Sequence, residues 1–444
     1  MDTETRYNQA LDYLYSFVDY SLKKADQLAA ANFDLSRMKT FLSLLGEPQN
    51  QYPSIHVAGT KGKGSTSALC ASALQSAGYK TGLYTSPHLL DFCERIQVNG
   101  QPISHDELAD LVDEIKPVAA QIAMLTTFEL NTAIGFLYFA RQGCDAAVIE
   151  VGLGGRLDAT NLITPRVSVI TALSYDHTAV LGSTLTKIAT EKAGIIKPGI
   201  PVVSAPQQPE ALATLEKISA ERGCELTLVG RDLTFSPLNH SLDGQTFSLH
   251  PANLHPAPFH LKLLGAHQVE NAVSAYAALK KSGLNVTEAH IRAGFAAAQW
   301  PCRFEIFQRA DPTIILDSAH NEDSFRRLAQ TLEDYFPAQQ VVLIIGISED
   351  KHLAAMLAAM QGIISRLIIT RSLHPRALEP EKIIETAQQA GVPYEVMVPV
   401  EAAVARGQKL ARERGDLLLS AGSMFVTAAV KSILSNEAAR PQKG

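Results

Sequence analysis

Residues Gly59-Thr60-Lys61-Gly62-Lys63-Gly64-Ser65 stand between a short apolar run, Ser54 to Ala58, and a segment of helical composition, Ser65 to Ala77, that stops at Gly78. Another apolar run, Lys80 to Tyr84, follows directly. Strand, glycine-rich turn, helix and strand make the βαβ unit of a parallel sheet. Glycines at such a turn let backbone N–H groups converge on phosphate oxygens, and the helix N-terminus adds a favourable dipole. Lys63 would bring charge to the outer phosphates, and Ser65 a hydroxyl for phosphate or metal. The run departs from the standard P-loop pattern, because Gly64 separates the lysine from the hydroxyl residue. An ordinary glycine-rich turn is the alternative; the two lysines, three glycines and flanking elements weigh against it.

The alternation persists along the chain. Helical spacing in Leu11, Leu14, Tyr15 and Val18, and again from Met38 to Leu45, predicts a helical start. Helices are expected over Asp106 to Met124 and Glu129 to Arg141, then strands at Ala146 to Val151, Val167 to Ala172 and Pro201 to Ser204. A helix at Pro209 to Arg222 follows. Leu226 to Leu263 changes character, with scattered Pro, Asn and His, and is expected to form an antiparallel extension at the sheet's edge. Helices from His267 to Lys281 and Glu288 to Ala298 close this half. Trp300-Pro301 marks a break. A second parallel α/β series then runs from strand Thr313 to Leu316 to strand Asp416 to Ser420, and the polar tail after Leu434 is expected to fray. The predicted fold class is therefore α/β with two domains. Residues 1–298 form a P-loop-type parallel sheet with helices on both faces, and 299–444 a smaller Rossmann-like domain. Two domains also suit the length of 444 residues.

Composition limits the partners. The formal net charge is −6, and no run of Lys or Arg is dense enough to track a nucleic-acid backbone. No secretory pattern follows Met1, and the most apolar stretch, Val341 to Ile347, is too short to span a bilayer. Five cysteines, Cys70, Cys93, Cys144, Cys224 and Cys302, are widely spaced without a C-x-x-C pair. That fits reduced thiols in the cytoplasm rather than a disulfide framework or zinc site.

Further polar clusters fall at strand ends, where parallel sheets place ligand groups. Glu150 ends an apolar strand and precedes Gly152-Leu153-Gly154-Gly155-Arg156-Leu157-Asp158. Its carboxylate suits Mg²⁺, although a structural turn would use the same glycines. Asp176-His177-Thr178 follows the next strand; a structural histidine is the competing reading. Lys192, in Glu191-Lys192-Ala193-Gly194, is open between a functional role and a helix cap or ion pair. Asp317-Ser318-Ala319-His320-Asn321 ends a strand of the second half, and Arg303 and Glu305 sit just before it. Arg303 has the fork that phosphate binding favours, or serves as a hinge ion pair.

Taken together, these segments resemble the folylpolyglutamate synthase/dihydrofolate synthase family of the Mur ligase superfamily, from about Tyr13 to Leu434. The resemblance rests on His56-Val57-Ala58 with the glycine loop, Thr85-Ser86-Pro87-His88-Leu89, Glu94-Arg95-Ile96 and Thr127-Phe128-Glu129. It continues through Glu150 to Asn161, Asp176-His177-Thr178, Glu191 to Gly194, His267-Gln268 with Asn271, Trp300 to Glu305, and Asp317 to Asn321. It implies an ATP- and Mg²⁺-dependent amide ligase. ATP phosphorylates the carboxylate of a pterin-bearing substrate, reduced folate or dihydropteroate, and the amine of L-glutamate displaces phosphate. By motif, Gly59, Thr60, Gly62, Lys63, Gly64 and Ser65 would hold ATP phosphates, with Asn271, Arg303 and Asp317 as further ATP contacts. Ser86, Glu150 and His177 would ligate Mg²⁺, two ions being expected. Lys63, His320 and Lys192 would be catalytic, Lys192 as a carbamate. The pterin pocket maps to Asp34, Leu35 and Ser36, to Thr126, Thr127, Phe128 and Glu129, and to Leu157, Asp158 and Ala159.

The sequence departs from the family pattern at Thr127, where an aromatic is common, and at Cys302 and Ser318, which replace usual glycines. The resemblance favours a monomer. Rival readings are a Mur-type ligase acting on a peptidoglycan or cyanophycin precursor, a P-loop NTPase switch, and a nucleotide-binding regulator without catalysis. Whether the chain makes dihydrofolate, extends folate tails or does both is not written in these residues.

Overall fold

The computed structural model describes residues 2–19, 34–250, 257–349, 351–372 and 374–439. The chain divides into two compact units. The first holds 1–238, 246–262 and 268–298, and the second 239–245, 263–267 and 299–444.

Eight strands of the first unit form one sheet: β1 (Ser54–Ala58), β2 (Thr81–Tyr84), β3 (Ile96–Val98), β4 (Gln101–Pro102), β5 (Ala146–Glu150), β6 (Val167–Ile170), β7 (Val202–Ser204) and β8 (Leu226–Leu228). Their order is β4-β3-β2-β5-β1-β6-β7-β8. All pairs are parallel except β2–β3 and β3–β4 at one edge, which are antiparallel. Every residue of β1 and β5 is buried, as a central parallel strand covered on both faces requires. On one face Tyr84, Ala147 and Ile149 pack with Leu108, Val112, Ile134 and Phe136 from the helices His105–Ala119 and Thr127–Arg141. On the other, Ala58, Ile170 and Val202 pack with Leu185, Ala189, Ala211 and Leu215.

The expected antiparallel extension of this sheet is not what forms. β8 joins its edge in parallel to β7, while β9 (Thr234–Ser241), β10 (Gly244–His250) and β11 (Phe259–Leu261) make a separate three-stranded sheet. The burial pattern explains the separation. In β10, Gln245, Phe247 and Leu249 are buried while the residues between them are half-buried, so this strand covers a single face.

The second unit carries six strands: β12 (Glu305–Gln308), β13 (Ile314–Leu316), β14 (Val341–Ile345), β15 (Ile364–Ile369), β16 (Tyr394–Val396) and β17 (Leu417–Ala421), ordered β12-β13-β17-β14-β15-β16. Only β12 is antiparallel, an edge strand that the sequence pattern does not show. Beyond Leu434 the chain does not fray at once: a helix, Met424–Ala439, continues past it. Val426, Val430 and Leu434 recur at helical spacing and are buried, which anchors that turn. Among the described residues no helix is long and apolar enough to cross a membrane.

Candidate active site

The glycine loop leaves β1 between β5 and β6, with Val57 paired to Glu150 and Ala58 to Ile170. Close approach demands its glycines. A Cβ on Gly59 would lie 1.8 Å from Thr171 Oγ1, and one on Gly62 (φ +88°) 2.2 Å from Asn271 Oδ1. The N–H groups of Thr60 and Lys61 both donate to the Ala172 carbonyl at 3.0 Å. The helix Lys63–Ser76 begins at once, capped by Gly62 without a side-chain hydrogen bond. The N–H groups of Lys63, Gly64 and Ser65 therefore occupy the first turn, where a helix has no internal acceptors. An anion placed there meets converging donors and the helix dipole.

Charged side chains surround this turn. Lys63 Nζ lies 3.8 Å from Glu150 Oε1, and Lys61 Nζ 3.1 Å from Asp176 Oδ2. The Ser86 N–H donates to Glu150 Oε2 at 3.3 Å, bringing two of the expected Mg²⁺ ligands together. His177, exposed and at φ +48°, caps a short helix and stands beside Asp176, with Nε2 4.0 Å from Oδ1. Lys192 ends the helix Leu185–Lys192, is buried, and donates from Nζ to the Gly59 carbonyl at 2.8 Å. Burial, reinforced by the charge of Lys63, brings its pKa down to about 7. Asn271 is buried beside Gly62 and donates to Gln268 Oε1 at 3.0 Å.

The three segments expected at the pterin end gather around one turn. The helices Leu35–Leu44 and Thr127–Arg141 both pack against the 3-10 turn Ala159–Leu162. Asp34 caps the first helix by accepting from the Ser36 N–H at 2.9 Å. Thr126 and Glu129 form a capping box, and Glu129 Oε1 stands 3.5 Å from Arg37 Nε. Thr127 is buried, its hydroxyl donating to Leu14 O at 3.0 Å, so the side chain builds the wall rather than facing outward. Phe128 is a half-buried aromatic of this region, and its ring tip would lie 2.4 Å from a Cβ on Gly152. Leu157 is half-buried and Ala159 buried. Asp158, also buried, accepts from Leu153 N at 2.8 Å and Thr160 N at 3.0 Å and so shapes the glycine turn.

In the second unit, the Asp317 carboxylate accepts from the N–H groups of Phe304 and Ala319, each at 2.7 Å. Burial pushes its pKa up, against the pull of Arg303 and those hydrogen bonds. Arg303 Nη1 donates to Cys302 O at 3.0 Å, and His320 Nδ1 lies 2.8 Å from Ser318 O. Cys302 (φ +55°) and Phe304 (φ +47°) occupy the left-handed region, which accounts for glycine being usual at the first. Three supporting residues had no assigned role in the sequence reading. Gln207 braces the turn after β6 through Leu173 N and Thr171 O, each at 3.0 Å. Thr427 Oγ1 donates to Asp317 O at 3.1 Å, and Glu94 accepts from the N–H groups of Leu89, Leu90 and Asp91. Nothing in the sequence pattern distinguishes a polar side chain that braces a turn from one on the surface.

A strand–glycine loop–helix unit with an acid on the neighbouring strand, followed in the chain by a second parallel α/β unit, is the arrangement of the Mur-type ligases. The Mur ligase middle domain family matches residues 57–279, and the Mur ligase glutamate ligase domain matches 302–424. A Bacillus subtilis protein named dihydrofolate synthase/folylpolyglutamate synthase is 36% identical over 84% of this chain and 87% of its own length. The Lacticaseibacillus casei folylpolyglutamate synthase is 37% identical over 79% of this chain and 82% of its own. A structure of Mycobacterium tuberculosis folylpolyglutamate synthase complexed with ADP superposes with a TM-score of 0.88 at 31% identity, covering 97% of this chain and 99% of that one. The chain belongs to the folylpolyglutamate synthase/dihydrofolate synthase family.

Proposed function

We propose that this protein is an ATP-dependent ligase that joins L-glutamate to a folate-type carboxylate through an acyl phosphate. The observation that carries the reading is the turn itself: free N–H donors at the start of the helix Lys63–Ser76, with Lys63 Nζ 3.8 Å from Glu150. Gly59, Thr60, Gly62, Lys63, Gly64 and Ser65 cradle the ATP phosphates, and Asn271 keeps Gly62 in place. In the second unit, Arg303, Asp317 and His320 are the residues that the family motifs assign to nucleotide and glutamate.

A carboxylate oxygen of the pterin substrate attacks the γ-phosphorus, and ADP leaves with its bridging oxygen. The neutral amine of glutamate then attacks the acyl carbon, phosphate departs, and the amine proton passes to solvent. Lys63 holds the phosphate charge during both steps, an electrostatic role that gains strength away from water. Ser86, Glu150 and His177 are the Mg²⁺ ligands of this reading; hydroxyl, carboxylate and imidazole suit a hydrated hard cation. Bound there, Mg²⁺ would neutralise developing phosphate charge.

Lys192 is the carbamate candidate. Its pKa of about 7 leaves a neutral amine able to bond to CO₂ carbon with loss of one proton, and Lys61 and Lys63 favour the resulting anion. Phe128, beside the Gly152 turn, is the aromatic wall offered to the pterin, bounded by Asp34, Leu35 and Ser36, Thr126 to Glu129, and Leu157 to Ala159. The cysteines are free, four of them buried, in keeping with a cytoplasmic enzyme, and one chain bearing both motif sets fits a monomer.

The test is phosphate release from MgATP with L-glutamate and either dihydropteroate, tetrahydrofolate or no pterin. Turnover that needs glutamate and a pterin supports the ligase and tells which activity it has. Hydrolysis indifferent to both sinks it in favour of an NTPase switch.

A further inference from the structure

Glu94-Arg95-Ile96 supplies none of the proposed ligands, yet it organises the loop that does. That loop runs from the end of β2 to the start of β3, strands that pair at Tyr84 and Ile96, and it includes Ser86. The Glu94 carboxylate accepts three successive backbone N–H groups, Leu89 to Oε2 at 2.6 Å and Leu90 and Asp91 to Oε1 at 3.0 Å each. At the loop's base, Thr85 N donates to Arg95 O at 3.0 Å. Across its middle, Arg95 Nε donates to His88 Nδ1 at 2.9 Å, which requires that nitrogen to be unprotonated. At the far end, Asp91 accepts from Cys93 N at 2.7 Å and from Tyr7 Oη at 3.1 Å.

Three N–H dipoles converging on one carboxylate make a turn that cannot shift without orphaning donors. Ser86 lies three residues before the first of them, and its own N–H reaches Glu150 at 3.3 Å. We infer that Glu94 is a positioning residue, which fixes the loop after β2 so that Ser86 and Glu150 present a preformed site to a magnesium–nucleotide complex. The inference rests on the reading of Ser86 and Glu150 as metal ligands. Outer partners that orient ligands commonly change metal affinity 10- to 100-fold when removed.

The variants are Glu94→Ala, Glu94→Gln and Ser86→Ala, with ADP binding followed by calorimetry with and without Mg²⁺. Glu94→Ala should lose roughly tenfold or more of the affinity that Mg²⁺ adds, while metal-free ADP binds as before. Amide exchange at Leu89, Leu90 and Asp91 should quicken in the same variant. Glu94→Gln keeps one acceptor oxygen and turns an NH₂ toward a donor, so it should fall between; it also serves if the alanine variant does not fold. A Mg²⁺ contribution unchanged in both Glu94 variants but lost in Ser86→Ala overturns the positioning role alone. A contribution unchanged in Ser86→Ala removes Ser86 from the ligand set and takes this inference with it.

Discussion

The turn after β1 takes its shape from glycines, and its charges are additions to that shape. The turn after β13 takes its shape from a charge. In the first unit Gly59 and Gly62 allow backbone and neighbours to meet, while the Lys63 side chain stands over the loop with Nζ 3.8 Å from Glu150 Oε1. In the second, Asp317 accepts the N–H groups of Phe304 and Ala319 and so holds two non-glycine residues, Cys302 and Phe304, at positive φ. One site separates scaffold from chemistry; the other makes the same carboxylate do both. Substitutions that remove charge should therefore have different consequences in the two units.

The largest effect is expected at Lys63. Lys63→Ala should lower kcat/KM for glutamate-dependent phosphate release by about 10²–10³-fold, the usual cost of losing one preorganised electrostatic contact. Its unfolding free energy from urea titration should stay within about 0.5 kcal/mol of the parent. Asp317→Asn should do both kinds of damage. It leaves one amide hydrogen facing a buried N–H, so activity falls and the chain loses about 2–3 kcal/mol in denaturant titrations. Glu150→Gln is the control: its carboxylate accepts the Ser86 N–H at the longer distance of 3.3 Å, so activity is lost while stability falls less than in Asp317→Asn. Equal destabilisation by Glu150→Gln and Asp317→Asn would break the contrast.

The same division explains what could be read in the sequence. The glycine loop, the buried strands on either side of it and the strand-end acid Glu150 were legible, because glycine content and apolar runs are local signals. The antiparallel strand β12 was hidden, since Arg303 and Glu305 beside Trp300-Pro301 read as a hinge. The reach of the final helix past Leu434 is not local in the sequence: Val426, Val430 and Leu434 repeat at helical spacing, but the residues after Leu434, Ser435 and Asn436 first, read as a polar tail. The convergence of the three pterin-end segments is expected only from family resemblance, and the burial of Thr127 and the packing of the Phe128 ring on Gly152 are visible only in the fold. The environment of Lys192 is tertiary in origin: nothing near it in sequence buries it or brings Lys63 to it.

Lys192 sharpens the comparison from the first unit's side, as a buried charge whose cost the fold must bear. Its folded pKa is about 7 against an ordinary 10.5. Below about pH 7 both folded and unfolded chains carry the proton, and the term is flat. Between pH 7 and 10.5 the unfolded chain holds a proton that the folded one has released, so stability rises with pH. The slope is at most about 1.4 kcal/mol per pH unit for one proton. Lys192→Met should flatten that slope in urea titrations from pH 7 to 9 in CO₂-free buffer. Parallel slopes for parent and variant would mean that the side chain stays charged in the fold, and the carbamate proposal would lose its neutral amine.

The smallest effect tests whether the second turn is truly held against its preference. Cys302 is buried at φ +55°, its N–H donates to Glu305 Oε2 at 2.8 Å, and its carbonyl accepts from Ser318 N at 3.0 Å. Removing the thiol costs packing in either Cys302→Ala or Cys302→Gly. The left-handed conformation, however, penalises alanine by about 1–2 kcal/mol and glycine hardly at all. Glycine gives back about 0.5–1 kcal/mol through the greater freedom of its unfolded chain. The glycine variant should therefore be the more stable of the two by up to about 1 kcal/mol, the reverse of their order in a helix. An alanine variant as stable as glycine or better would show that the turn relaxes to negative φ, and that Asp317 does not impose it.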